Sequence, residues 1–340
     1  MQGVQLTTNT TPEQRPSGSY SPHRVQDVYP NGITTEEILS TITFSSVAIE
    51  EIVRYFLSTP GKRIRSALVY LSASMIGRPA HHVKEAAAII ELLHNGTLIH
   101  DDVIDKAHLR RGHPTVNRVW GDAVGILIGD CLLAYVMDLA KRIGVASVSE
   151  VISSMLVSLV EGQMMELNYQ HKLDLEKNLY LEIVEKKTAS LFAGACTIGG
   201  ILAGGASEEI DWLESFGRNL GMAFQMIDDC LDYQGSTAVF GKEIGKDFIE
   251  GKITLPLIFT YRNATSQDRR RLQEVARATE RERYVPMVQS LIRTYRGIEE
   301  TENEAYLRTC EAVAVLDPFT DGPVRRAMEA LANDMATRLR

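Results

Sequence analysis

The chain reads as an all-α protein folded as a single domain. Three features point there: apolar positions recur at helical spacing from about residue 34 onward, the alternating pattern of half-buried strands is almost absent, and no tandem repeat divides the chain. At 340 residues it exceeds the usual size of one compact domain, but an all-helical fold with a continuous core can absorb that length.

Residues 1–33, rich in Thr, Ser, Pro, Asn and Gln, are expected to form a disordered tail, with one domain over 34–340. TTEEILSTI opens the domain, its threonines before Glu36 and Glu37 marking a helix start. In TPGKRIRSALVYLSASMIG, Pro60-Gly61 makes a turn and an apolar helix follows from Arg65. Lys62, Arg63 and Arg65 then stand at a helix N-terminus, where the dipole already favours anions. Cations at an end that prefers acids suggest a ligand.

From Glu85 to Pro114 no proline interrupts a helix on Ala86, Ile89, Ile90 and Leu93, which ends in carboxylates and then Arg110-Arg111. Gly129–Ala140 reads as a buried helix and Glu150–Leu167 as an amphipathic one. Small residues in EKKTASLFAGACTIGGILAGG would let helices approach closely. Ser207-Glu208-Glu209 starts a long helix to about Tyr233, with Trp212, Phe216, Leu220, Ala223, Ile227 and Leu231 on its apolar stripe. QGSTAVFGKEIGKD is irregular, Pro256 opens another apolar helix, and the charged helices beyond Asn263 read as scaffold.

Composition excludes several classes. Net charge is -8 and no Lys/Arg cluster carries interleaved aromatics, so no nucleic-acid partner is expected. Cys131, Cys196, Cys230 and Cys310 form no CxxC pair, which argues against zinc or a disulfide framework and for a reducing, cytoplasmic setting. The most apolar run, Ala123–Ala140, is broken by Asp130, Gly125 and Gly129 and reads as a buried core helix, so no membrane anchor is expected. The N-terminus lacks the apolar core of a signal peptide, and with only Arg15 and Arg24 as basic residues it is a poor transit peptide.

At roughly 100° per residue, His94, Thr97, Asp101 and Asp105 share one helical stripe. Acids one turn apart repel unless a cation sits between them, and Mg²⁺ typically takes one or two carboxylates plus substrate phosphates. Asp228, Asp229 and Asp232 repeat the pattern, with Gly221 and Gln225 on the face of Asp228 and Asp232. Two Asp-Asp-x-x-Asp clusters on separate helices read as a metal site.

With six stretches in order, the chain resembles the trans-isoprenyl diphosphate synthases, or polyprenyl synthetases, over residues 34–340. They are Gly61-Lys62-Arg63-Ile64-Arg65, Leu98-Ile99-His100-Asp101-Asp102-Val103-Ile104-Asp105, Arg110-Arg111-Gly112, Lys187-Thr188-Ala189, Phe224-Gln225-Met226-Ile227-Asp228-Asp229-Cys230-Leu231-Asp232 and Glu250-Gly251-Lys252. Ser66 departs from the family, which commonly has proline there. The resemblance implies an isoprenoid-synthase-type bundle of about ten helices around a deep central cavity, with the aspartate clusters facing each other across its mouth. It implies Mg-dependent head-to-tail (1'-4) condensation of isopentenyl diphosphate with dimethylallyl, geranyl, farnesyl or geranylgeranyl diphosphate to an all-trans product, and a homodimer.

Carried over residue by residue, the resemblance makes Asp101, Asp102, Asp105, Asp228, Asp229 and Asp232 metal ligands, for about three Mg²⁺ ions once substrate is bound. Arg110, Lys187, Lys242 and Lys252 add charge as the allylic diphosphate departs. Lys62, Arg65, His94 and Arg111 hold isopentenyl diphosphate, and Thr188 and Gln225 stabilise the allylic end. Thr97 and Gly96 stand where short-product members often carry aromatics, so this small pair implies a product on the order of C20 or longer. A class I terpene cyclase would not need the Lys62, Arg65 and His94 group, and a non-catalytic subunit of a hetero-oligomeric synthase would lose the acids.

Overall fold

The structure is a computed structural model and describes residues 32–59, 61–78, 80–234 and 244–337. It is a helical bundle. Helix α1 (Thr35–Thr41) begins at Thr34, whose hydroxyl accepts from the backbone N–H of Glu37 while the Glu37 carboxylate accepts from that of Thr34, the capping box that TTEE predicts. Helices α2 (Val47–Leu57), α3 (Ile64–Ile76) and α4 (Val83–Ile104) follow, then a two-residue ladder pairing β1 (Leu109–Arg110) with β2 (His113–Pro114). After α5 (Val116–Trp120) come the long α6 (Asp122–Ile143) and α7 (Ala146–Tyr169).

The chain continues with α8 (Lys177–Val184), a π-helical turn over Glu185–Ala189, α9 (Ser190–Leu202) and α10 (Ser207–Gln234). Short α11 (Lys246–Glu250), α12 (Leu255–Asn263), α13 (Ser266–Ala276), α14 (Val285–Thr294), α15 (Gly297–Ala314) and α16 (Pro323–Thr337) complete it. Lys242 and most of the stretch expected to be irregular lie outside the described residues, as does the tail up to residue 31. Ile33, placed in the tail by sequence, is buried instead, its N–H donated to Ser66 Oγ at 3.3 Å. Ser66 thus anchors the chain entry, and its own N–H donates to Glu91 Oε1, a bond proline could not make.

Helix α9 is the hub, buried continuously from Leu191 to Gly200 and packed against α3, α7 and α10. Its small residues permit this: a Cβ on Gly199 would overlap the Val69 carbonyl, and one on Gly217 of α10 would lie 2.5 Å from the Phe192 oxygen. Helix α4 packs most extensively on α6 and touches α3 and α9, and α10 packs on α9 as well. The two aspartate-bearing helices therefore share the hub as a common support.

Helix α6 corrects an expectation. Its Gly125 and Gly129 face is packed against α4, but over its most apolar stretch only 39% is buried, and Ile126, Leu127 and Met137 are exposed. By length and composition alone it could cross a membrane. Periodicity marks a helix as apolar without saying which chain covers it.

Candidate active site

The acids of α4 gather at its carboxyl end, with Asp105 as C-cap. That end already carries unsatisfied carbonyls and the negative pole of the helix dipole, so anions there need external support. Asp102 receives it from Arg110, whose Nε and Nη2 donate to its carboxylate at 2.8–3.0 Å, with Asp102 almost fully buried. The sequence reading put Asp102 on metal and Arg110 on diphosphate. The structure spends each on the other, because a buried carboxylate eight residues from a guanidinium fork takes both of its N–H directions.

Asp105 pairs with Lys252 Nζ at 3.0 Å, and Lys252 also reaches Glu250 at 2.7 Å. The Asp101 carboxylate forms no hydrogen bond or ion pair among the described residues. Burial raises its pKa, Glu166 and Asp105 add to the shift, and Lys187 and Lys252 oppose it. A half-buried carboxylate among cations it does not touch leaves oxygen donors for a hard ion.

On α10 the acids divide in the same way. Asp229 is buried and accepts from Tyr180 Oη at 2.6 Å, Gln225 Nε2 at 2.9 Å and the Leu255 N–H at 3.4 Å. Asp232 accepts from the N–H groups of Lys246 and Asp247 at 3.2 Å, capping α11. Both were read as metal ligands and here make these internal contacts, whereas the Asp228 carboxylate has no hydrogen bond or ion pair among the described residues. Thr188 Oγ1 donates to Gln225 Oε1 at 2.9 Å, tying the π turn to α10. That turn fits against α7 only because Gly162 lacks a Cβ, which would stand 2.7 Å from the Lys187 nitrogen.

Two residues that the doublet pattern could not reveal complete this half. Glu166 of α7 pairs with Lys187, and Asp247 of α11 lies among Lys252, Asp228 and Glu166, with burial pushing its carboxyl up to about 6. Mutual influence runs from Asp101 through Lys187, Glu166, Lys252 and Asp247 to Asp228. The acids of α4 and α10 thus share one electrostatic site. Among the described residues no three His, Cys, Asp or Glu side chains form a ready metal cluster. All-oxygen donors lacking a closed cage fit ions shared with phosphate oxygens rather than a structural metal.

A second cationic group lies on the same side of α4, deeper along the helix. Arg65 is enclosed, its guanidinium 4.6 Å from the Phe192 ring centroid and 5.5 Å from that of Phe224, and Nη1 donates to His94 Nε2 at 3.3 Å. Burial brings Arg65 down to about 10, and its Nε is buried without a hydrogen-bond partner among the described residues. Burial and then Arg65, Arg111 and Arg110 hold His94 well below its usual value, so the imidazole is neutral and accepts from Arg65. Arg111, at φ 51, brings its guanidinium against Gly61, where a Cβ would meet Nη1 at 2.9 Å; Lys62 is the next residue. Arg63 departs from the cationic trio, turning inward at φ 49 to pair with buried Glu91 at 2.8 Å.

A family model described as polyprenyl synthetase matches residues 46–293. The chain belongs to the polyprenyl synthetase family. It is similar to the octaprenyl diphosphate synthase of Escherichia coli, 33% identical over 296 residues that cover 87% of this chain and 92% of that one. A short chain isoprenyl diphosphate synthase of Methanothermobacter thermautotrophicus is 32% identical over 303 residues, covering 87% and 93%. Among solved structures, the polyprenyl synthase of Caulobacter crescentus complexed with calcium and isoprenyl diphosphate aligns with TM-score 0.84 and 32% identity, over 89% of this chain and 93% of that one. This polyprenyl synthetase has the all-α isoprenoid synthase fold and is a divalent-metal-dependent prenyltransferase.

The buried acid of α10 gives this enzyme a pH signature. Burial, then Asp247, push Asp229 up to about 8, against the donors Tyr180 and Gln225. A carboxyl whose folded pKa lies above its unfolded value stabilises at low pH, and that contribution is lost as the pH rises through about 8. In metal-free protein, native melting temperature should therefore fall relative to Asp229→Asn between pH 5 and 8.5. Thermal unfolding of both across that range checks it; parallel curves would contradict the assignment.

Proposed function

We propose that this enzyme extends an allylic diphosphate with isopentenyl diphosphate, using Asp101, Asp105 and Asp228 for the metal-bound allylic end and Arg65, His94, Lys62 and Arg111 for the second diphosphate. The observation that carries the reading is the presence of two groups of basic side chains, one mixing carboxylates with Lys187 and Lys252, the other joining Arg65 to a neutral His94. Asp101, Asp105 and Asp228 would hold Mg²⁺, which when bound shields the diphosphate and makes it a better leaving group.

The chain's own groups supply the rest. Lys187 and Lys252 turn their ammonium groups from Glu166, Glu250 and Asp105 toward the leaving oxygens as the allylic C–O bond breaks. Thr188 and Gln225, fixed to each other and to Asp229, place oxygen lone pairs beside the allylic cation. The Nε of Arg65, without a hydrogen-bond partner among the described residues, awaits the second substrate, whose diphosphate favours protonation of His94. The isopentenyl double bond attacks the cation at its terminal carbon, and a proton leaves from the adjacent methylene to released diphosphate. A cyclase would have no use for the Arg65 and His94 pocket.

Incubating the protein with Mg²⁺, isopentenyl diphosphate and each allylic primer separately, then measuring chain length, tests the reading. Head-to-tail products of C20 or longer are expected, on the order set by the small Thr97 and Gly96. Cyclised hydrocarbon, or no incorporation of isopentenyl diphosphate with any primer, would overturn it.

A homodimer through α6 belongs to the same proposal. The exposed Ile126, Leu127 and Met137 of a helix with mean hydropathy 1.8 support a second copy as the cover. Native protein should run at twice the chain mass in light scattering, and the double variant Leu127→Arg, Met137→Arg at the mass of one chain. A native monomer would refute this.

A further inference from the structure

We propose that His100 is a positioning residue that sets the metal-binding turn of α4 against α6. The inference rests on the reading that Asp101 and Asp105 hold metal, and concerns how those two carboxylates keep their place. His100 immediately precedes Asp101 but points about 100° around the helix, away from the acid stripe and onto α6. Its Nε2 lies 3.1 Å from the Ile126 carbonyl oxygen and 3.4 Å from Asp130 Oδ1. The ring rests on Gly129, where any Cβ would overlap it.

This contact is the polar rung of a close-packed seam. One turn toward the amino end, Gly96 faces the Gly129 carbonyl and Leu132; one turn toward the carboxyl end, Val103 fills the space above Gly125, where a Cβ would approach it to 2.8 Å. Glycine at 96, 125 and 129 brings the helices close, and apolar contact alone would let them slide. A hydrogen bond to one carbonyl fixes rotation and register.

The acidic turn needs such a fixture. Asp101, Asp102 and Asp105 crowd the end of a helix whose dipole disfavours anions, and Asp101 has no protein donor of its own among the described residues. Arg110 holds the turn on the side of Asp102. His100 holds it on the side of α6. The two clamps leave Asp101 between them, placed before any ion arrives. Residues that orient metal ligands through one further contact typically change metal affinity by about 10–100-fold when removed.

The test is calorimetric binding of a non-ionising allylic ligand, farnesyl S-thiolodiphosphate, to the full chain at increasing Mg²⁺, with melting temperature measured in parallel. His100→Ala should raise the Mg²⁺ needed for half-maximal binding about tenfold. Isopentenyl diphosphate binding at saturating analogue should stay within about twofold, because Arg65 lies on α3 and His94 lies further toward the amino end of α4. His100→Gln, whose amide nitrogen can stand where Nε2 does, should restore the Mg²⁺ requirement to within about threefold. Gly129→Ala, which evicts the ring without touching it chemically, should behave as His100→Ala.

An unchanged Mg²⁺ requirement in His100→Ala overturns the proposal. So does a uniform loss in which both ligands and the melting temperature fall together and His100→Gln does not recover, since that is packing alone. Asp101→Ala serves as the control. If it binds the analogue at native Mg²⁺ concentrations, the metal reading fails and takes this proposal with it; if it loses binding while His100→Ala does not, only the positioning role fails.

Discussion

Asp101→Ala is expected to lower turnover by about 10³-fold or more, since loss of a single electrostatic contact to the reacting group typically costs 10²–10³ and this residue would hold the ion that carries several. The fold should survive. The Asp101 carboxylate makes no hydrogen bond among the described residues, and burial first, then Glu166 and Asp105 against Lys187 and Lys252, raise its pKa, so in metal-free protein the charged group costs stability rather than adding it. Melting temperature without Mg²⁺ should therefore stay level or rise, while the gain on adding Mg²⁺ and diphosphate should vanish. Radiolabel incorporation from isopentenyl diphosphate and thermal unfolding measure the two halves. Near-native turnover would end the assignment of Asp101 to the metal.

Asp102→Ala separates this from a general effect of acid removal. Its carboxylate is buried against Arg110, so truncation leaves a guanidinium without its partner and loosens the hairpin that carries Arg111. Stability should fall along with activity, by about 3–5 kcal/mol if the pair behaves as a broken buried ion pair. Adjacent acids in one doublet thus give opposite stability outcomes.

That contrast also marks what sequence can and cannot tell. Helical spacing placed the acid stripe on α4, without fixing where that helix stops, and the long α10 within a residue of both ends, because burial of one face imposes a period that any apolar residue satisfies. The same spacing could not divide Asp101 from Asp102, or Asp228 from Asp229. Which acid turns inward depends on Arg110, Tyr180 and the Leu255 N–H, partners at separations of 8, 49 and 26 residues. Glu166 and Asp247 stayed hidden for the same reason: each is a single acid, and its value comes from Lys187 and Lys252 arriving from elsewhere in the chain. For α6, hydropathy read correctly as apolar, but the period does not say that its outer face stays exposed among the described residues.

Thr97→Phe should shorten the main product by several isoprene units while leaving the first condensation close to native. Thr97 lies one turn below Asp101 on the acid stripe, half-buried, with its hydroxyl donated to the His94 carbonyl at 2.9 Å. A chain growing from a diphosphate held at Asp101 runs along this face, and a ring at 97 would stand across it. Gly96 is the contrasting case. Its missing Cβ faces α6, 3.4 Å from the Gly129 oxygen and from Leu133 Cδ2 and 3.5 Å from Leu132, so added bulk there presses two helices apart rather than narrowing the path. Gly96→Phe should lower melting temperature, and Gly96→Ala, at ordinary contact distance, should change product length little. Chromatography of dephosphorylated products from each variant, with one primer and excess isopentenyl diphosphate, reads the outcome. A native distribution in Thr97→Phe would mean that the chain leaves the acid stripe before it reaches this turn.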